Sequence, residues 1–328
     1  MIFLAQRYSS NTSTYLDLFQ TKETRGKNST YFCPIQDLKN GSWVNITYDL
    51  PPYTPMKREH IQRGCPAFEQ NNTFNTWIWE PEAVHSKGCS FKSFEEESYC
   101  RLMKNKTVAI MGDSLSFHHF LSLSHLLGVP HADDSRFGNA FRLNQVCNNS
   151  SKLIGRRDDH LNFVEEIVHD HFPDVLVLNR GAHYVPDDRL LKELNNNIFP
   201  QLNNWQAKCR LENKDCLLIW RTTVPGHPNC MKFTRPSNSV EEMERIIETS
   251  KGGRFQREKF SVQNELVLKA LQVQKTVANL SYEVMDAYHV NILRPDMHVR
   301  QSDCLHNCLS KDTTYSWLLN HMLNVKFT

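Results

Sequence analysis

At 328 residues the chain has room for one large α/β domain with additions, or for two smaller domains. Hydrophobic residues make up 40% and charged residues 23%, a globular balance, and a net charge of +2 with no long basic run gives no electrostatic case for nucleic acid. No apolar stretch reaches the ~18 residues of a membrane span. Met1-Ile2-Phe3-Leu4-Ala5 is too short for a signal-peptide core, though it fits the stump of a lost signal or membrane anchor.

Residues 1–60 are rich in Ser, Thr, Asn, Pro and Tyr, lack a helical period and are broken by Pro51, Pro52 and Pro55. They are expected to form an extended or loop-rich N-terminal arm, tied down through Cys33. From residue 61 the chain turns aromatic and cysteine-studded, with Phe74, Trp77, Trp79, Cys89 and Cys100 packing over the core of one domain, 61–328. The Trp77-Ile78-Trp79-Glu80-Pro81 string offers flat faces that suit sugar rings, but core packing is the ordinary use of tryptophan.

Short apolar runs then alternate with helical patterns, the signature of a mainly parallel sheet with crossover helices. Strands are predicted at 107–111, 174–178, 216–220 and 282–285, and the first is followed by a helix that Gly128-Val129-Pro130 stops. Further helices are predicted at 161–171, 190–205, from the capping box at Ser239 to Thr249, at 260–280 and at 312–323. In the 260–280 helix, Val262, Leu266, Ala270, Val273 and Val277 share the face expected to be buried.

Ten cysteines are spread along the chain, none in paired zinc-knuckle spacing. Asn-x-Ser/Thr acceptors recur, among them Asn28, Asn40, Asn45, Asn105, Asn148, Asn149 and Asn279. An even cysteine count with dense acceptors points to an oxidising, glycosylating lumen.

Two strings carry chemistry. Gly112-Asp113-Ser114 follows the apolar run Val108-Ala109-Ile110-Met111, which puts a serine hydroxyl at a strand-to-helix turn. Asp303-Cys304-Leu305-His306 places a carboxylate three residues from an imidazole, bracketed by Cys304 and Cys308. A hydroxyl, a base and an orienting carboxylate are what nucleophilic acyl chemistry requires, with Ser114, His306 and Asp303 in those roles. The competing readings are that Asp113 or Ser114 only caps the helix and that His306 sits idle in a structural loop. A metal site from the clustered Cys, His and Asp is disfavoured, because disulfides explain the cysteines.

In an open parallel sheet ligands bind beyond the carboxyl ends of the strands, where Ser114, Asn179 and Arg221 all fall. The Ser114 amide, the Asn179 side chain and the Gly181 amide are candidate oxyanion donors. His183, Arg221, His227 and His118 are candidate substrate-binding residues, each with a purely structural use as the alternative.

Gly112-Asp113-Ser114-Leu115-Ser116, Asn179-x-Gly181 and Asp303-Cys304-x-His306-x-Cys308, with Asp312 and Trp317-Leu318-Leu319 behind them, resemble the trichome birefringence-like/PC-esterase group. This is an SGNH (GDSL-like) branch that includes polysaccharide O-acetyltransferases, and the resemblance covers roughly residues 61–325. Phe117-His118-His119, Asn307 and Ser310-Lys311 depart from its plant pattern. The resemblance implies a three-layer α/β/α sandwich, a Ser114–His306–Asp303 triad and acetyl transfer to a glycan hydroxyl through an acetyl-serine. It also implies a Golgi-lumenal, membrane-anchored protein.

The expectation is therefore a lumenal or secreted carbohydrate O-acyltransferase of SGNH type, a glycoprotein with disulfide bonds. Its partners would be a polysaccharide or glycan acceptor and an acyl donor acting as co-substrate, with no bound cofactor, metal or nucleic acid. A carbohydrate esterase or deacetylase shares the first half of the reaction. A catalytically inactive glycan-binding glycoprotein is the alternative of a different class.

Overall fold

The computed structural model describes residues 31–48, 74–129, 140–250, 256–298, 303–308 and 314–328. A six-stranded sheet forms its centre. The strands are β3 (Thr107–Gly112), β4 (Phe141–Val146), β5 (Ser151–Arg157), β6 (Val175–Leu178), β7 (Leu217–Arg221) and β8 (Glu283–Met285), in the order β4-β5-β3-β6-β7-β8. All neighbours are parallel except β4, which pairs antiparallel with β5 at one edge. A separate antiparallel pair joins β1 (Gly41–Tyr48) to β2 (Phe74–Pro81).

Side chains alternate between the two faces of a strand, and here each face feeds its own core. Val108, Ile110, Val175, Val177, Leu217 and Ile219 point into one apolar cluster. Ala109, Met111, Leu176, Leu178, Leu218 and Trp220 point into the other. Helix α1 (Ser114–Leu126) covers the first face with Phe117, Phe120 and Leu123, joined by Leu318, Leu319 and Met322 of α5 (Thr314–Phe327). Helices α2 (Phe199–Leu211) and α4 (Phe260–Ala278) cover the second with Leu202, Trp205, Val267 and Leu271. The architecture is a three-layer α/β/α sandwich.

The four strands expected from apolar runs are present within one residue of their predicted ends. β5 is an addition: Gly155, Arg156 and Arg157 break its apolar pattern, yet it lies beside β3 at the middle of the sheet. Gly155 is needed there, since a Cβ would overlap the Phe120 ring. Ser239 caps α3 (Val240–Glu248), its hydroxyl accepting from the Glu242 amide at 3.1 Å, while its own amide donates to Ser237 Oγ and not to the Glu242 side chain of a full capping box.

Within the expected arm Gly41–Tyr48 is a strand; the Trp43 ring packs against that of Trp79 with centroids 5.5 Å apart, and Trp43 Nε1 and Trp79 Nε1 donate to the Val290 and Leu38 carbonyls. Trp79 is core, and Trp43, Trp77 and Trp317 line a small hollow beside it. The boundary at residue 61 lies outside the described residues.

One expectation is corrected, that for the buried face of α4. The helix buries Phe260, Gln263, Asn264, Val267 and Leu271, while Val262, Val273 and Val277 are exposed. Polar residues won those positions because their hydrogen bonds are satisfied: Gln263 donates to the Val185 carbonyl, and Asn264 bonds both the amide and the carbonyl of Thr223.

Disulfides join Cys33–Cys89, Cys100–Cys147, Cys209–Cys216 and Cys230–Cys304, and Cys308 is disulfide-bonded as well. Among the described residues no helix is long and apolar enough to cross a membrane.

Candidate active site

β3 ends at Gly112, whose φ of +148° is a conformation glycine adopts readily; a Cβ there would also overlap Ser116 Oγ and the Asn179 carbonyl. Asp113 is the N-cap of α1. Its Oδ1 accepts from the Leu115 and Ser116 amides at 2.9 and 3.3 Å, and its Oδ2 from the Ala182 amide at 2.7 Å. Capping therefore falls to Asp113, as in the competing reading of the motif. The Ser114 hydroxyl is left for a different partner.

That partner is His306. Ser114 Oγ lies 2.7 Å from His306 Nε2, and His306 Nδ1 lies 2.8 Å from Asp303 Oδ2. A carboxylate on Nδ1 selects the tautomer with the proton there, so Nε2 presents a lone pair to the serine O–H. Asp303 Oδ1 accepts from the Leu305 and His306 amides at 3.1 and 3.0 Å, which fixes the carboxylate against its own loop. Burial would raise the Asp303 carboxyl, but the hydrogen bond and charge of His306 and the two backbone donors outweigh it and hold it well below the usual carboxylate range.

The 303–308 loop is fastened from below. Cys304 is bonded to Cys230, its carbonyl accepts from the His227 amide at 2.9 Å, and the Cys308 amide donates to the Met297 carbonyl at 2.9 Å. Ser114 is buried, whereas the His306 and Asp303 side chains keep 25% and 41% exposure, so the line of three opens to solvent on the imidazole side.

The remaining predicted residues are placed unevenly. Among the described residues the Ser114 and Gly181 amides have no acceptor, and Gly181 sits where a Cβ would overlap Thr223 Oγ1. Asn179 differs from its expected role: both hydrogens of its side-chain amide go to the Arg221 carbonyl and Thr223 Oγ1, at 2.9 and 3.0 Å, because the end of β7 lies beside it. It is a buried strand-to-strand tie and does not present an N–H to a ligand.

Arg221 and His227, expected to line the cleft, are fully buried. His227 Nε2 donates to the Ile292 carbonyl, and its Nδ1 meets His298 Nε2 at 2.6 Å. Burial lowers its pKa to about 4. His118 is also buried, with its ring 5.1 Å from that of His306. Burial, then the charge of His306, lowers its pKa to about 3, so it stands as a neutral wall beside the imidazole. Of the four, His183 alone is half-exposed, and its Nε2 lies 3.3 Å from Asp159 Oδ2.

Asp159 belongs to a group that the sequence reading missed. Arg157 pairs in register with Gly112, and the Asp158 amide donates to the Gly112 carbonyl at 2.6 Å, so the end of β5 flanks the serine turn. The available signal was the Arg156-Arg157-Asp158-Asp159 string after Leu153-Ile154. Among the described residues no three His, Cys, Asp or Glu side chains converge on a point where a metal could bind.

No family model matches the chain. Xyloglucan O-acetyltransferase 3 of Populus trichocarpa is 27% identical over 93 residues, 28% of this chain and 20% of that protein. Xyloglucan O-acetyltransferase 4 of the same plant is 31% identical over 94 residues, 28% of this chain and 21% of that protein. The chain is similar to acetyltransferases over part of its length. That similarity spans about a fifth of the relatives' own length.

Because the folded-state Asp303 pKa is depressed, its stabilising contribution is present above the ordinary aspartate value of about 4 and is lost as pH falls through the lowered value. Thermal unfolding of the protein and of Asp303→Asn should differ most near neutral pH and converge in strong acid. A difference independent of pH would mean that the carboxylate charge does not stabilise this loop.

Proposed function

We propose that the protein is a polysaccharide O-acetyltransferase in which Ser114 is the nucleophile, His306 the general base and Asp303 the orienting carboxylate. The reading rests on one observation, the continuous hydrogen-bonded line from Ser114 Oγ through His306 to Asp303. The partial similarity to xyloglucan O-acetyltransferases supports the acetyl group and the glycan acceptor.

In the first half-reaction Ser114 Oγ attacks the carbonyl carbon of an acyl donor, and its proton passes to His306 Nε2. Asp303 stabilises the imidazolium so formed. The carbonyl oxygen becomes an oxyanion at the N-terminus of α1, held by the Ser114 and Gly181 amides. As the tetrahedral intermediate collapses, the leaving group departs with the proton from His306, and the acyl-serine remains. In the second half a sugar hydroxyl gives its proton to Nε2 and attacks the acyl carbon; the intermediate collapses by breaking the bond to Ser114 Oγ, which leaves with the proton from Nε2. Water in place of the sugar would make the protein an esterase.

Incubation with an acetylated donor should add one acetyl mass to the peptide containing Ser114, and His306→Ala should abolish the adduct. Transfer of the label onward to an oligosaccharide supports the transferase, and release as free acetate the esterase. No adduct with wild-type protein across several donor classes would leave the glycan-binding alternative.

We also place the protein in an oxidising lumen of the secretory pathway, the Golgi in the reading taken here. Four disulfides are resolved, and the acceptor residues Asn40, Asn45, Asn105, Asn148, Asn149 and Asn279 are all exposed. Expressed through the secretory pathway, the protein should lose mass on enzymatic removal of N-linked glycans. An unchanged mass would contradict this placement.

A further inference from the structure

Arg221 closes β7 and is fully buried. Its Nη2 donates to Ser116 Oγ at 2.8 Å and to Asn179 Oδ1 at 3.2 Å, and its guanidinium lies 5.0 Å from the centre of the Tyr315 ring. Among the described residues its Nε and Nη1 have no hydrogen-bond acceptor, and no carboxylate forms an ion pair with it. A guanidinium taken out of water in this way is costly unless a negative charge stands close by. His119 adds no second positive charge, since burial, then the charge of Arg221, keeps it neutral.

The carboxylate that shares Ser116 with Arg221 is Asp113. It too is fully buried, and its two oxygens accept three backbone N–H bonds, the pattern of an ionised carboxylate. Ser116 touches both ions: its amide donates to Asp113 Oδ1 and its hydroxyl accepts from Arg221. Each ion also holds the loop after β6. Asp113 Oδ2 takes the Ala182 amide, and Arg221 bonds the Asn179 side chain, which itself returns a hydrogen bond to the Arg221 carbonyl.

The geometry points to a buried Asp113–Ser116–Arg221 charge bridge that positions the Gly181 amide against the Ser114 hydroxyl. The bridge fastens the ends of β3, β6 and β7 to one another from behind. None of its three members forms a hydrogen bond with His306 or Asp303, so they are positioning residues and not catalytic ones. Arg221 thereby has a role other than the substrate contact first expected of it. The inference rests on the acyl-transfer reading above, because the distance it sets matters only if an oxyanion forms between those two groups.

A fluorophosphonate probe tests the bridge without a known substrate, since phosphonylation of Ser114 passes through a similar charged intermediate. Ser116→Ala removes one hydroxyl and leaves the core filled. It should lower the maximal rate of Ser114 phosphonylation by about tenfold to a hundredfold, as expected of a small misplacement, with the probe's binding constant unchanged. Arg221→Lys, which keeps the charge and a donor, should retain more of that rate than Arg221→Met. A wild-type rate in Ser116→Ala, with only the melting temperature lowered, would overturn the bridge and leave the acyl-transfer reading standing. Failure of the unaltered protein to label at Ser114 would overturn both.

Discussion

A single hydrogen bond joins two parts of the chain 192 residues apart, between Ser114 Oγ and His306 Nε2. Neither side chain reaches the other by local structure. Ser114 stands at the end of a central strand, whereas residues 303–308 around His306 form no helix or strand. Such a loop would ordinarily sample many positions, and a bond of this kind needs its partner held to a fraction of an ångström. The fold supplies this through the Cys230–Cys304 link, the His298–Asn307 bridge and the bond from the His227 amide to the Cys304 carbonyl. The loop is thereby tied to the segment that follows β7, the same strand whose end holds Asn179.

Asp113 and Asn179, the buried polar side chains flanking the serine turn, are spent on backbone and strand-end ties, which leaves the serine hydroxyl for the imidazole. Asp113 takes the helix cap and the Ala182 amide. Asn179 spends both amide hydrogens on the neighbouring strand end. His118, kept neutral by burial, adds bulk beside the imidazole, and His227, also kept neutral, is tied to His298 and the Ile292 carbonyl. The side chains that look most reactive in the sequence are therefore mostly structural.

How much was legible beforehand follows from the same physics. Strands β3, β6 and β7 were readable because apolar residues run without interruption where both faces are covered. Ser114, His306 and Asp303 were readable because a glycine turn and a three-residue spacing are local signals. β5 was not, because its residues at the sheet's carboxyl edge are charged for reasons visible only beside Gly112. The buried face of α4 was misread because Gln263 and Asn264 enter the interior with hydrogen-bond partners that lie more than 40 residues away. Burial of Arg221 and His227 was equally invisible, since strand-end position says where a residue begins and not where its side chain ends.

The most direct check on the account is a crystal structure of the protein after reaction with a phosphonate ester. The account requires phosphorus bonded to Ser114 Oγ, the His306 imidazole still on Asp303, and the phosphoryl oxygen within hydrogen-bond reach of the Ser114 and Gly181 amides. Phosphorus on any other side chain, or an imidazole turned away from Ser114 in the unreacted crystal, would contradict it.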